Sequence, residues 1–197
     1  TAPYTHAWTQ SGSNGTYPAP PSQTTMFTAT SSGTPTLVYT VTDNSGCSDS
    51  HEQAITIHPL VTASVSNGTS VNLCSTSPLL LGGQATGGSG TYSTHLWELV
   101  SATIAQGSVT AASLLSSTST QSPTLTPHAQ AADGDTYVFR YTATDNIGCS
   151  GVSPNITITI REITSAAISV AGASTICSGN TTTLKVDVTR ANAGSYT

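Results

Sequence analysis

The sequence contains very little charge. Only 7% of its 197 residues are charged, lysine and arginine together number four, and the formal net charge is −5 at pH 7. Proteins that bind nucleic acids neutralise phosphates with clusters of basic side chains, and four basic residues cannot supply such a patch. No apolar run approaches the roughly 20 residues that a membrane-spanning helix needs. The composition therefore predicts no nucleic-acid partner and no membrane span.

Residues that would build an active site are scarce as well. Acidic residues number nine and histidines five, and neither the spacing typical of metal ligands nor a Gly-x-Ser-x-Gly nucleophile motif occurs. Asp133 and Asp135 are close in sequence, but they lie in a turn pattern with no sign of a deep cleft. These shortages predict that the protein is not an enzyme and that it needs no cofactor.

The chain is instead rich in serine and threonine, which make up about a third of it. Threonine, valine and isoleucine fit the pleated surface of a strand. Alternation predicts strands at 37–42, 54–58, 62–66, 79–86, 93–100, 137–144, 156–160, 167–171 and 182–188. This density of short strands and turns predicts an all-β fold of tandem Ig-like antiparallel β-sandwich domains with Greek-key connections. Trp8 and Trp97 would anchor the cores.

One motif occurs twice. Residues 39–47 read Tyr-Thr-Val-Thr-Asp-Asn-Ser-Gly-Cys, and residues 141–149 read Tyr-Thr-Ala-Thr-Asp-Asn-Ile-Gly-Cys. An alternating Ile-Thr segment follows each copy. The copies are 102 positions apart, which far exceeds the length of a solenoid repeat and suits whole tandem domains.

A second pair of motifs marks the front of each domain. Thr-Ala-Ser-Val at 62–65 precedes Cys74, and Ala-Ala-Ile-Ser-Val at 166–170 precedes Cys177. The chain is therefore predicted to be cut inside a domain at both ends. The predicted segments are the C-terminal part of an Ig-like domain at 1–59, a complete Ig-like domain at 60–162, and the N-terminal part of the next at 163–197.

The two ends of the chain are complementary. Residues 194–197 followed by residues 1–8 resemble residues 88–97, because both stretches carry an aromatic residue and then His-x-Trp. The joined domain would hold 94 residues, against 103 in the complete one. We therefore expect one two-domain period of a linear array, completed by neighbouring copies or by continuing sequence. An arbitrary section of a protein with diverged domains is the alternative.

The four cysteines recur with the domains and predict structural disulfides in an oxidising compartment. Cys74 and Cys149 belong to the complete domain, and Cys177 and Cys47 to the joined one. Disulfides within each domain and disulfides between neighbouring domains both respect the repeat, and reduced thiols are the third alternative. Isopeptide crosslinks cannot recur in every domain, because Lys185 is the only lysine.

Several polar residues have two interpretations. Asp43, Asp145, Asp133 and Asp135 offer oxygens of the kind that calcium prefers. Nine acidic residues are too few for rigid calcium cages, so turn capping is the expected role. The histidines show no ligand spacing, and those at positions 6 and 95 precede a tryptophan by two residues, as strand residues at the core edge would.

Four asparagines fit the Asn-x-Ser/Thr glycosylation pattern. They are Asn14, Asn67, Asn155 and Asn180. Such triplets also arise by chance in a chain this rich in threonine, so they gain meaning only in a glycosylating secretory pathway.

Three motifs together resemble a known family. Thr-Ile-Cys177-Ser-Gly-Asn-Thr-Thr-Thr-Leu184, Tyr-x-His-x-Trp and Thr-x-Thr-Asp-Asn-x-Gly-Cys are similar to the Ig-like or PKD-like repeats of giant secreted bacterial surface proteins. Such repeats occur in adhesins and gliding-motility filaments that use type IX secretion. The resemblance implies an extracellular, cell-surface filament or stalk joined to further copies of itself. The alternatives are a carbohydrate- or surface-binding module, with Tyr17 or Tyr92 stacking on glycans, and a non-catalytic spacer of a secreted enzyme.

Overall fold

A computed structural model of the protein describes residues 4–18, 21–163 and 165–189. Strands dominate these residues, and the one helix among them has four residues. The chain divides into two compact units: Leu60 ends the first, which also holds the loop Gly87–Thr91, and the rest forms the second. The predicted joint between the chain ends falls at 1–3 and 190–197, outside the described residues.

The first unit is built on one three-stranded antiparallel sheet. Its strands in chain order are β1 (Thr5–Gln10), β2 (Gly15–Thr16), β3 (Thr28–Ala29), β4 (Thr36–Thr42) and β5 (Ser48–Ala54). The sheet has the order β1-β4-β5, and β2 pairs with β3 separately. Trp8 lies opposite Tyr39, and His6 lies opposite Val41. Because paired residues share a face of a sheet, these four side chains occupy one face.

The second unit opens with a two-layer sandwich. Its elements in chain order are β6 (Thr62–Val65), β7 (Ser70–Cys74), β8 (Leu79–Leu80), β9 (Gly83–Thr86), β10 (Tyr92–Thr103), α1 (Ala111–Leu114), β11 (Thr124–Leu125), β12 (Thr136–Asp145), β13 (Ser150–Val152) and β14 (Ile156–Arg161). One layer has the order β10-β12-β14-β7, with β13 also paired to β12. The pairs β6–β9 and β8–β11 form the other layer. The predicted all-β, Ig-like sandwich is confirmed.

One ladder corrects the prediction of a purely antiparallel sandwich, because β7 runs parallel to β14. The chain leaves β6 through a short turn that contains Gly68, whose φ is +78°, and continues in β7 on the other layer. The strand thus changes layers without reversing, and it meets the last strand of the domain in the same direction. Glycine adopts this positive φ without strain.

The core lies between the two layers of the sandwich. Trp97 and Tyr141 are register partners, and they are 1% and 0% exposed. Every second side chain of β12 is buried, as expected of a strand with one face on a core. The buried cluster consists of Ala63, Leu73, Leu81, Trp97, Leu114, Leu115, Leu125, Tyr137, Phe139, Tyr141, Ala143, Ile156, Ile158 and Ile160.

Residues 165–189 form a separate antiparallel hairpin of β15 (Ser165–Val170) and β16 (Leu184–Thr189). Ile168 lies opposite Val186, and Val170 lies opposite Leu184. Because side chains alternate between faces, one face of the hairpin is apolar and the other is polar. The apolar face consists of Ala166, Ile168, Val170, Leu184, Val186 and Val188.

Two of the predicted strands differ from the observed ones. The segment 79–86 is divided into β8 and β9, because the Leu81 N–H donates to the Pro123 carbonyl at 2.9 Å instead of continuing one ladder. The segment 54–58 is wrong: β5 ends at Ala54, and Ile57 makes only an isolated bridge with Gly33. Strands β1, β5 and β7 do not follow from the alternation pattern.

Candidate functional site

The repeated Asp-Asn-x-Gly-Cys motif forms a tight corner at the end of β12. The Asp145 carboxylate accepts hydrogen bonds from the backbone N–H groups of Ile147 at 3.1 Å and Cys149 at 2.8 Å. The backbone N–H of Asp145 donates to the Cys149 carbonyl at 2.9 Å. Gly148 has a φ of +91°, a conformation that favours glycine. The motif therefore encodes the corner itself.

The first copy of the motif builds the same corner at the end of β4. The Asp43 carboxylate accepts from the backbone N–H groups of Ser45 at 2.8 Å and Cys47 at 2.9 Å. Gly46 has a φ of +87°. The two corners differ in burial, because Asp145 is 2% exposed whereas Asp43 is only partly buried.

The His-x-Trp motif of β10 holds three aromatic groups together. The indole Nε1 of Trp97 donates to the Thr120 carbonyl at 3.1 Å. The Trp97 and Tyr141 ring centroids are 5.0 Å apart, within the range of favourable aromatic pairs. His95 Nδ1 and the Tyr141 hydroxyl are hydrogen-bonded at 2.6 Å. The polar atoms of the two buried rings, the Trp97 indole N–H and the Tyr141 hydroxyl, thus each have a partner.

The first unit reproduces these contacts. The indole Nε1 of Trp8 donates to the Ser22 carbonyl at 2.9 Å, and its ring centroid lies 4.8 Å from that of Tyr39. His6 Nδ1 and the Tyr39 hydroxyl are hydrogen-bonded at 2.7 Å. Trp8 and Tyr39 are nevertheless only partly buried, and none of the described residues 4–18 and 21–60 belongs to the buried core cluster.

In the sandwich, β9 covers the aromatic group directly. A Cβ atom added to Gly83 would lie 2.5 Å from the Tyr141 ring, so only glycine permits this approach. Ala63 of the neighbouring strand β6 is 3% exposed and belongs to the same core. The β6–β9 pair is therefore the layer that buries the motif.

The hairpin of residues 165–189 repeats that covering pair. In the sandwich, Ala63 lies opposite Ala85, and in the hairpin Ala166 lies opposite Val188. Both partners are displaced by 103 positions, and the other three residue pairs of β6–β9 recur with the same displacement. Sequence analysis singled out no residue of the hairpin's apolar face as a site, although its alternation was visible.

The late cysteine of the sandwich lies where the chain enters it. Cys149 belongs to the corner that follows β12. Gly151 comes two residues later and packs against the start of the domain, since a Cβ added there would lie 2.3 Å from the Val61 carbonyl oxygen. We call this end of the sandwich the incoming end.

The early cysteine lies at the opposite, outgoing end. Cys74 closes β7 beside Arg161, the last residue of β14, beyond the Thr136 end of β12. The length of β12, ten residues, places about 30 Å between the two ends. A disulfide requires Cα atoms within about 7 Å. Cys74 and Cys149 therefore cannot be joined in this arrangement.

The other two cysteines occupy the corresponding places. Cys47 ends the corner that follows β4, as Cys149 ends the corner that follows β12. Cys177 lies in the loop between β15 and β16, at the end where Val170 and Leu184 pair. All four thiols are free and exposed, so each is accessible to a partner.

The acidic residues considered for calcium bind backbone groups. Asp135 accepts from the N–H groups of Ala105 at 2.9 Å and Ala132 at 3.0 Å. Asp133 accepts from the N–H of Glu162 at 3.0 Å. Within the described part of the chain, no three His, Cys, Asp or Glu side chains gather where they could hold a metal ion. The bond from Ala132 caps a local turn, whereas the bonds from Ala105 and Glu162 join segments that are distant in sequence. The absence of a cofactor stays a prediction.

The remaining histidines are dispersed. His51 and His58 are exposed. His128 accepts a hydrogen bond at Nδ1 from the Gln130 N–H at 3.3 Å. The His128 contact does not reproduce the histidine–tyrosine pairs of β1 and β10.

The four glycosylation triplets fall into two classes. Asn155 and Asn180 are exposed. The other two use their amide nitrogens in turns, because Asn14 Nδ2 donates to the Ser32 carbonyl at 2.8 Å and Asn67 Nδ2 donates to the Leu80 carbonyl at 3.0 Å. Glycosylation stays a prediction, and the two exposed asparagines are the accessible acceptors.

Burial also shifts the titration of the core tyrosines. Desolvation raises the pKa of both Tyr137 and Tyr141 above the ordinary value of 10.0. The Asp135 carboxylate raises the pKa of Tyr137 further, and a backbone hydrogen bond from His128 opposes that shift. The neutral phenols are therefore part of the packed core.

No helix among the described residues is both long and apolar enough to cross a membrane. No protein-family model and no curated protein matches the chain.

Three solved structures are similar to the chain in part. Protocadherin gamma B7 extracellular cadherin domains 1–4 match at 13% identity and a TM-score of 0.37, over 92% of this chain and 50% of that one. Protocadherin gamma B2 extracellular cadherin domains 3–6 match at 8% identity and 0.39, over 86% and 45%. The Bacteroides ovatus mixed-linkage glucan utilization locus protein SGBP-B, in complex with a mixed-linkage heptasaccharide, matches at 15% identity and 0.24, over 79% and 37%. The chain spans half or less of each, and likenesses of this degree say nothing of function.

Proposed function

We propose that the protein is a structural repeat unit of an extracellular filament or stalk, joined end to end with further copies of itself. The observation that supports the proposal is that the two units repeat the same side-chain contacts as well as the same sequence motifs. The same corner and the same His–Trp–Tyr contacts recur in both units. Whole domains repeated with the same internal contacts extend a chain's reach and add no new chemistry.

Recurring cysteines support an oxidising, extracellular location. The early cysteine lies at the outgoing end of a domain and the late cysteine at the incoming end, so end-to-end stacking would bring them together. We propose that Cys74 pairs with Cys47 of the following domain, and that Cys177 pairs with Cys149 in the same way. Each bond forms as two thiols lose two protons and two electrons to an oxidising disulfide of the secretory pathway.

Mapping of disulfide-linked peptides from native material without reduction tests this pairing. We expect a Cys74–Cys47 peptide and a Cys149–Cys177 peptide. A Cys74–Cys149 peptide would contradict the pairing between neighbours, and free thiols at all four positions would contradict structural disulfides altogether.

The aromatic contacts give the glycan-binding alternative no specific support. The Tyr17 hydroxyl donates to the Thr9 carbonyl at 3.0 Å, and its ring lies 5.4 Å from that of Phe27. Tyr92 is partly buried and packs against the core. Within the described residues Tyr4, at 58% exposure, is the one aromatic among the strongly exposed large side chains.

Immunogold microscopy of intact producing cells tests the proposed function, with antibodies raised against the sandwich of residues 61–163. We expect label along fibres outside the cell. One domain should advance the fibre by about 35–40 Å, as the strand lengths suggest, so that a two-domain period measures about 70–80 Å. Label confined to the cell interior would overturn the proposal. Diffuse extracellular label without fibres would favour the spacer of a secreted enzyme.

A further inference from the structure

We infer that the hairpin of residues 165–189 from one copy covers the β1–β4 face of a second copy and completes a sandwich shared by the two chains. The inference rests on the proposed end-to-end assembly and names the surfaces that carry it. The donor hairpin is β15–β16, and the acceptor face is the face of β1 and β4 that contains Trp8, Leu37, Tyr39 and Val41.

The donor hairpin presents an uncovered apolar face. Ile168 is 73% exposed, Leu184 is 64% and Val186 is 57%. A two-stranded hairpin is marginal on its own in water and needs a packing partner. Contiguous exposed apolar side chains on one face of this kind mark an interaction surface.

The acceptor face corresponds to the buried face of β12. Leu37, Tyr39 and Val41 stand 102 positions before Phe139, Tyr141 and Ala143. The three later residues are each 0% exposed, whereas every residue of β4 is only partly buried. The acceptor face thus keeps the residues and contacts of a core without the layer that closes one.

The sandwich identifies the missing layer. There, the β6–β9 pair covers the equivalent face, and among the described residues β15–β16 is the other hairpin with that register. Val186 replaces Gly83, so the donor hairpin must lie farther from the Tyr39 ring than β9 lies from the Tyr141 ring. Acidic residues are absent from the apolar faces of β15, β16, β1 and β4. His6 lies on the acceptor face, where its Nδ1 is hydrogen-bonded to the Tyr39 hydroxyl.

We take a second copy as the partner, because the donor side chains are exposed and the acceptor strand is only partly buried. Each copy then donates one hairpin and accepts one, which is a heterologous contact. Heterologous contacts that do not close into a ring build open-ended assemblies. Every copy in the interior of the assembly would have both surfaces covered, and only the two end copies would keep one surface open.

A complementation experiment on the full chain tests the inference. One variant, Ile168→Asp with Val186→Asp, removes the donor. The other, Leu37→Asp with Val41→Asp, removes the acceptor. By sedimentation velocity we expect the unaltered chain to form oligomers that lengthen with concentration, each variant alone to be monomeric, and an equimolar mixture to stop at a one-to-one dimer.

Two further variants control for unspecific effects. Leu80→Asp introduces one carboxylate, half the charge of either test variant, at a residue that is 62% exposed on the sandwich, and this variant should still form oligomers. Val186→Gly restores the residue found at the equivalent position of β9, and it should also keep association. Loss of acceptor folding does not spoil the test, because the acceptor variant needs only its hairpin to bind the donor variant.

Three results would overturn the inference: a monomeric unaltered chain, self-association of either variant alone, or no dimer in the mixture. Fibres seen on cells together with a monomeric chain of 197 residues would leave the proposed filament function in place and remove only the shared sandwich. Oligomers in solution without surface fibres would leave the shared sandwich in place and remove the proposed filament function.

Discussion

The two Trp–Tyr–His groups make the same contacts in different surroundings. In the second unit, Trp97 and Tyr141 are 1% and 0% exposed beneath the β6–β9 layer. In the first unit, Trp8 and Tyr39 keep the ring contact and the histidine bond but are only partly buried. The geometry of the group therefore depends on two neighbouring strands, whereas its burial depends on a second layer.

This difference separates local contributions to stability from contributions of the core. A left-handed glycine acts within a few residues and should contribute equally in both units, whereas the bonds of a turn should contribute more where burial keeps water away from them. Desolvation of large side chains requires the covering layer and should contribute mainly in residues 61–163.

The largest difference in destabilisation between the two units is expected when their tryptophans are replaced. Trp97→Ala should destabilise its domain by about 3–5 kcal/mol, since it empties a closed core. Trp8→Ala should cost roughly half of that or less in the isolated chain, because the ring is already partly in water. Hydrogen exchange of peptides from β12 and β4, measured by mass spectrometry across a urea series, reports the two units separately.

Assembly should reduce this difference. If the donor hairpin of a second copy covers Trp8, the cost of Trp8→Ala should rise toward that of Trp97→Ala in concentrated, associated protein. An equal cost for both variants at high dilution would contradict the comparison, because it would mean that the first unit is already closed in the single chain.

Replacement of the corner carboxylates should give a smaller difference in destabilisation between the two units. Asp145→Ala leaves two backbone N–H groups without their acceptor at a part-buried corner, and the expected loss is about 1–3 kcal/mol. Asp43→Ala should cost less, because water reaches the partly exposed corner. Asp145→Asn keeps one side-chain oxygen and should recover part of the loss. Thermal unfolding of the full chain followed by circular dichroism compares the three, and a larger loss for Asp43→Ala would contradict the prediction.

The sequence predicted the features that repeat and missed those that depend on partner strands. The alternation of β12 and the Asp-Asn-x-Gly corners are local, and both are found as predicted. Strand β5 was missed because all seven of its side chains are polar or small and exposed, so its position is set by pairing with β4 and not by burial. The parallel β7 was missed for a related reason, since a layer switch has no alternation of its own.

Cysteine pairing shows the same limit. Spacing along the chain allowed Cys74 to pair with Cys149 or with a neighbour, because sequence separation does not tell which end of a sandwich a loop occupies. The register of β7 with β14 places Cys74 beside Arg161, and only this tertiary contact separates the two cysteines of the domain.

The corner glycines should behave alike in both units. Gly46 and Gly148 have φ values of +87° and +91°, and an added Cβ meets nothing within 4 Å at either position. Alanine therefore introduces only backbone strain, about 1–2 kcal/mol at each site. Hydrogen exchange of peptides from β4 and β12, measured across a urea series for the Gly46→Ala and Gly148→Ala chains, should show equal losses of unfolding free energy. A much larger loss at Gly148 would show that burial also amplifies local strain.

Alkaline pH should destabilise the sandwich through its buried tyrosines. Burial raises the pKa of Tyr137 and Tyr141 above 10.0, so the unfolded chain releases these protons at a lower pH than the folded one. The stability that the neutral phenols contribute is complete below pH 10.0 and is lost as the pH rises through the raised values. Ultraviolet absorbance of tyrosinate and circular dichroism of the full chain should therefore change together above that pH.

Tyr137→Phe removes one titrating group and should make the fall in stability shallower, although it also removes the hydroxyl that accepts from the His128 N–H at 3.3 Å. A phenol titration at the ordinary pKa, with the fold intact, would show that Tyr137 and Tyr141 are open to water.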